Sequence, residues 1–132
     1  MKAWFAYPSW SLKLLDGWQG KIDGVCVTLS SEENVGVIQI SAAIKPTQVT
    51  DNDLYDFAAE PIRDGAKTNN VQFGAFVGFE ITFSFDDYFF RMWYLRHERQ
   101  LLLITYICDL KKHGVEDEDI QKMLATLTPN DA

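Results

Sequence analysis

The chain has 132 residues, 47% of them hydrophobic and 14% aromatic, with 19 acids against 12 bases and a formal net charge of −7. This length suits one domain spanning 1–132, and the apolar content is far above that of a disordered chain. The acidic balance argues against nucleic acid, whose phosphates need clustered Lys and Arg, and against an anionic lipid surface.

The first segment, Trp4 to Leu15, is rich in aromatic residues. Its apolar stretch Ala3–Tyr7 is stopped by Pro8, which fits no secretory leader, and no run approaches the roughly 20 apolar residues of a membrane span. A cytoplasmic location without membrane contact is the expectation. Trp10, Leu12 and Leu14 alternate with Ser11 and Lys13, which predicts a short strand. Turn signals follow at Asp16-Gly17, Gly20 and Asp23-Gly24. Val25 to Leu29 and Val37 to Ile44 read as two strands joined by the polar loop Ser31–Asn34, hence a hairpin.

Thr50 is a capping residue, and Asp53 three positions later makes a short-armed capping box. The helix it opens would turn Leu54, Phe57, Ala58 and Ile62 to one side. Pro61 should bend or end it near Glu60. Asp64 to Asn70 reads as a polar loop. From Val71 to Phe85 every odd residue is apolar: Val71, Phe73, Ala75, Val77, Phe79, Ile81, Phe83 and Phe85. Such alternation gives one apolar face and one small or polar face, the mark of an antiparallel sheet with one side buried. As one strand it would span roughly 50 Å, so a break is expected near Gly74 or Gly78. Phe73, Val77, Phe79, Ile81 and Phe83 should share an interior with Leu103, Ile120 and Leu124.

Asp86-Asp87 is a turn, Tyr88–Arg96 a strand, His97–Arg99 a turn and Gln100–Cys108 another strand. Leu101–Ile104 is apolar on both faces, so this strand should be central and covered on both sides. Asp117–Asp119 opens a second helix with the charge its positive end prefers, and Ile120, Met123, Leu124 and Leu127 form its apolar stripe. Strands interrupted by single helices indicate an α+β domain, a central antiparallel sheet flanked by two main helices.

Several features in this order, Phe5 with Pro8-Ser9-Trp10, Gly36–Ser41, the capped helix, a meander ending Leu101–Tyr106, and a final acidic-started helix ending Leu124–Leu127, resemble the PsbP-like fold. That fold is shared by a photosystem II extrinsic protein, a Ran-binding nuclear import factor and many small bacterial proteins of uncharacterised function. Some bacterial members resemble chaperones or adaptors of secreted toxins. The resemblance implies a non-enzymatic binding or adaptor role and carries over no functional residue.

A nucleophile-and-base site needs Ser or Cys beside His with an orienting acid. His97 and His113 fall in turns, where side chains normally meet solvent, so no catalytic residue is assigned and a hydrolase is the least favoured reading. Two dispersed cysteines and two histidines give no zinc spacing, and no glycine motif cradles phosphate, so neither a metal nor a cofactor is expected. Cys26 and Cys108 read as reduced thiols in apolar strands. Glu80, in mid-strand, reads as a cross-strand ion pair with Arg91 or Arg96.

Aromatic residues carry the functional expectation. Phe76 stands alone on the less apolar face between Gly74 and Gly78. It is either covered by a neighbour or forms an aromatic floor for a partner. Three of the four tryptophans lie in the first eighteen residues. Tryptophan anchors interfaces as well as cores. Trp10, Trp18, Phe76 and Arg91 are therefore the candidate partner-binding residues of a protein-interaction module (an adaptor, chaperone or immunity-type protein). The alternative is a carrier holding a small apolar ligand between sheet and helix.

Overall fold

The computed structural model describes the backbone of residues 3–7, 9–24 and 26–130, and side chains over the same ranges except 3–7 and 61–62. The elements, in chain order, are β1 (Ala3–Tyr7), β2 (Trp10–Leu14), β3 (Trp18–Asp23), β4 (Cys26–Ser31), β5 (Gly36–Ile44), α1 (Asp51–Phe57), α2 (Ala59–Arg63), β6 (Lys67–Phe73), β7 (Phe76–Phe85), β8 (Tyr88–His97), β9 (Gln100–Asp109), α3 (Asp117–Leu124) and β10 (Thr128–Pro129). Seven strands form one sheet in the order β3-β4-β5-β9-β8-β7-β6, and β1-β2-β10 form a small second sheet. All the pairings are antiparallel. The class is α+β.

β9 is the central strand of the seven, as its two-sided apolar run requires. Alternate residues serve two separate cores. On one face Leu102, Ile104 and Tyr106 join Ile38, Ile40, Trp93 and Leu95, beneath Trp10, Leu12 and Leu14 of β2, Ile120, Met123 and Leu124 of α3, and Leu127, which the sequence put on the helix but which lies just beyond its end. This is the sandwiched face. On the other, the helix face, Leu101, Phe79, Ile81 and Tyr94 pack with Val49, with Leu54 of α1 and with its cap Ala58, and Leu103 lies against them.

The single interior expected from the Val71–Phe85 alternation is therefore corrected to two. The stretch folds back at Gly74-Ala75, so that Phe73 pairs with Phe76. Gly74 has φ +61° there, and an added Cβ would lie 3.1 Å from the Leu127 carbonyl. A two-residue turn exchanges odd for even, because paired residues point to the same face. Phe73 and Phe76 thus enter the sandwiched core with Ile120 and Leu124, whereas Phe79, Ile81 and Leu103 serve the helix face.

Two stretches of the large sheet were not expected: β3, and the Lys67–Asn70 half of β6, which lies inside the supposed loop 64–70 and runs into the expected strand at Val71. β3 and β6 are the sheet's two edges. Edge strands meet solvent, so they need no apolar alternation and often carry charge. The α1 capping box forms, with Thr50 Oγ1 accepting from the Asp53 N–H and Asp53 accepting from the Thr50 N–H. The helix breaks at Ala58 rather than near Glu60. A proline is tolerated in α2 because first-turn N–H groups have no helical partner. Phe57, expected on the buried side, is exposed. Tyr55 stacks on Phe79 instead, with centroids 4.9 Å apart. The side chain of Ile62 lies outside the described residues.

Candidate functional site

The expected binding residues hold the fold together. Trp10 is 1% exposed and Phe76 0%, so neither presents a surface. Phe76 lies on the face of β7 opposite Phe79 and Ile81, and the layer formed by β2 and α3 covers that face, where Phe76 meets His97 edge-on at 5.7 Å. Trp18 is buried, and its indole N–H donates to Asp119 Oδ2 at 3.1 Å, joining β3 to α3. Arg91 donates to Glu80 at 2.7 Å and to Asp117 at 2.9 Å. Its guanidinium also lies 4.8 Å from the Trp93 ring centroid. The cross-strand pair read from Glu80 is present, and it ties the half-buried Arg91 into a bridge between β7 and α3. The surface placement of Trp10, Trp18 and Phe76 is corrected accordingly. The side chain of Trp4 lies outside the described residues.

The sites of conventional chemistry are also accounted for. Ser9, His97 and Glu98 line one cleft of about 280 Å³. Ser9 Oγ, however, accepts from Gln100 Nε2 at 2.7 Å, and no hydrogen bond joins Ser9 to His97 among the described residues. Glu116 is buried and accepts from Tyr106 Oη at 2.8 Å and Ser31 Oγ at 2.7 Å. Burial, with the Glu116 carboxylate adding to it, pushes the Tyr106 phenol far above its ordinary range. Cys108 is a free, buried thiol, raised chiefly by burial. Cys26 is also free. It alternates with Val27 and so points to the helix face, on the opposite side of the sheet from Cys108, which keeps the two sulfurs apart. No group of three or more His, Cys, Asp or Glu among the described residues is placed to hold a metal.

The open chemistry lies on the helix face, at the end away from α1. Register places Val37 opposite Ile107, Ile107 opposite Phe90, and Phe90 opposite Phe83. These four residues form one row across four adjacent strands, all on one face. Phe83 and Phe90 are stacked, 4.8 Å apart and 8° from parallel. The next row outward carries Phe85 opposite Tyr88. Exposure rises along this direction. Phe79 and Tyr94 under α1 are buried, Val37 and Ile107 are 38% and 36% exposed, and Tyr88 and Phe85 are 50% and 66% exposed. The helical layer stops before the sheet does.

Where that layer ends, a groove of about 520 Å³ opens between α2 and the sheet, with Ala66, Phe83, Phe85, Met92 and Tyr94 as its apolar lining and Glu60 and Asp64 at its rim. The Tyr94 hydroxyl donates to the Met92 sulfur, at 3.9 Å, a weak acceptor. Burial raises the Tyr94 phenol. At the other end of the row lies a shallower recess of about 370 Å³ bounded by Val37, Gln39, Tyr88, Ile107 and Asp109. No Lys or Arg lines either hollow among the described residues.

Phe83 and Phe85 belong to the alternation read from the sequence, which assigned all its odd members to a buried face. The signal that separates them is position: they adjoin the Asp86-Asp87 turn, and the far end of a long hairpin can outrun the elements that cover it.

No protein-family model matches this sequence, and a search of curated proteins finds no match. Solved structures do match. A crystal structure from Bacteroides thetaiotaomicron has a TM-score of 0.66 at 17% identity, over 92% of this chain and 45% of that one. The chain thus spans less than half the length of that protein. The solution structure of cyanobacterial PsbP (CyanoP) from Synechocystis has a TM-score of 0.65 at 10% identity, over 98% of this chain and 92% of the other. Identities this low speak for architecture alone, and the architecture they share with this chain, a central antiparallel sheet with helices packed on it, is the PsbP-like fold.

Proposed function

We propose that the protein is a non-enzymatic interaction module, an adaptor or chaperone in kind, which holds a partner protein against the uncovered end of the helix face. The observation that carries this reading is the apolar row Val37–Ile107–Phe90–Phe83 with Phe85 and Tyr88 beyond it, contiguous by register and open to solvent. Exposed aromatic side chains in a continuous patch are costly to keep in water unless something covers them. They are also the residues that dominate binding energy at interfaces.

The test is capture from the native host by the wild-type chain and by a Phe85→Ser, Tyr88→Ser double variant, read by mass spectrometry. A partner retained by the first and lost by the second, with unchanged far-UV circular dichroism, supports the surface. Equal retention removes it, and the absence of any specific partner on the wild type removes the interaction reading. A second reading, a carrier of a small apolar ligand, draws on the groove under α2. Its volume falls within the ~300–1,000 Å³ of small-molecule sites. Native mass spectrometry of protein purified from its host separates the two, since a carrier would retain a small adduct.

A further inference from the structure

We infer that the occupant of this face is a basic amphipathic helix of a partner protein, seated beside α1 and α2 with an apolar anchor in the groove and its Lys or Arg residues against Glu60 and Asp64. The inference rests on the interaction reading above and specifies the class of partner.

Shape is the first argument. The bare region runs across four strands, β5, β9, β8 and β7, or roughly 14 Å at ~4.8 Å per step. A helix with its side chains is about 10–12 Å across. The existing layer shows how a helix is received on this sheet: α1 sets Leu54 into the Phe79–Ile81–Tyr94 floor. A second helix laid beside it would set its own apolar residues onto Phe83, Phe90 and Ile107, which continue that floor outward. Small apolar ligands need only the groove. They would leave Val37, Ile107 and Tyr88 in water.

Charge is the second. The charged residues lining the two hollows are Glu60, Asp64 and Asp109, with no base among the described residues. Arg63 on α2, Lys67 at the start of β6, and Lys111 and Lys112 beyond β9 are neighbouring cations, outside both linings. Asp86 and Asp87 in the β7–β8 turn extend the acidic margin. An acidic rim around an apolar floor selects a cationic amphipathic segment by attraction and rejects an anionic one by repulsion.

The probe is a set of three synthetic helical peptides with one leucine-based apolar face and Lys, Gln or Glu on the polar face. Each is labelled with fluorescein and titrated by anisotropy at physiological ionic strength, and binding is mapped by amide chemical shifts. The Lys peptide should bind at least tenfold more tightly than the Glu peptide and shift the signals of Ala66, Ser84 and Phe85. Glu60→Gln with Asp64→Asn should abolish that preference. Glu32→Gln with Glu33→Gln, which alters net charge equally on the β4–β5 loop, should leave it intact. If both double variants lose the preference alike, or the three peptides bind equally on this face, the cationic class is wrong while the apolar surface stands. Failure of every peptide to shift residues of this face overturns the helix-binding inference, and the capture experiment then decides the interaction reading by itself.

Discussion

On the sandwiched face Phe76 and Trp93 are sealed beneath β2 and α3, whereas on the helix face Phe85 and Tyr88, from the same meander, stand in solvent. The residue types are alike, so the difference is one of cover. The sandwiched face is roofed by segments from both ends of the chain, fastened by Trp18 to Asp119, by Lys13 N–H to Thr126 Oγ1 and by Arg91 to Asp117. The helix face is roofed by two short helices that occupy only part of it. Aromatic content therefore does not tell core from binding surface. The length of the roof does.

This contrast can be broken most easily from the sandwiched side. Phe76→Ala should cost about 3–5 kcal/mol and Leu124→Ala about 2–5 kcal/mol in a denaturant titration, as truncations of fully buried side chains do. A loss under ~0.5 kcal/mol for either would mean that the roof does not pack as described. Next comes Gly36→Ala. A Cβ there would lie 2.5 Å from Tyr106 Oη. The ring would have to leave Glu116, so overpacking of about 1–3 kcal/mol is expected. Tyr106→Phe in the same background should not restore stability, because the ring itself is in the way.

Smaller effects belong to the helix face. Thr50→Ala removes the side-chain half of the capping box and should cost about 1 kcal/mol, read from the thermal midpoint. Asp53 sharpens the same point through pH. Its carboxyl is held below the usual range, first by the Thr50 backbone N–H and then by Lys45. A carboxyl lowered in the folded state stabilises above its unfolded pKa of about 3.9, and that contribution fades as pH falls through the folded value. Asp53→Asn should therefore flatten the acid limb of a stability–pH profile and leave the profile above pH ~6 parallel to wild type.

Much of the fold was legible because its signals are local. The β4–β5 hairpin, the two-sided apolar run of β9, the Thr50 cap and the α3 stripe all follow from neighbouring residues. So does the Glu80–Arg91 pair. β3 and the Lys67–Asn70 half of β6 were not legible, since a solvent-facing strand carries no apolar period. Nor was the candidate site. The alternation places Phe83 and Phe85 together, but whether that face is roofed depends on where α1 and α2 stop. The two-residue turn at Gly74 reverses the parity of Phe73 and so brings it to the face of Phe76, and Phe76 is buried because β2 and α3, distant in sequence, roof that face.

The most direct test of the account is the loss of unfolding free energy in Phe85→Ala set beside that in Phe76→Ala, measured by urea titration under one set of conditions. The account predicts a change within about 0.5 kcal/mol for Phe85→Ala, as for exposed positions generally, against about 3–5 kcal/mol for Phe76→Ala. Equal losses, or a larger loss at Phe85, would show that the outer end of the helix face is core and is not available to bind.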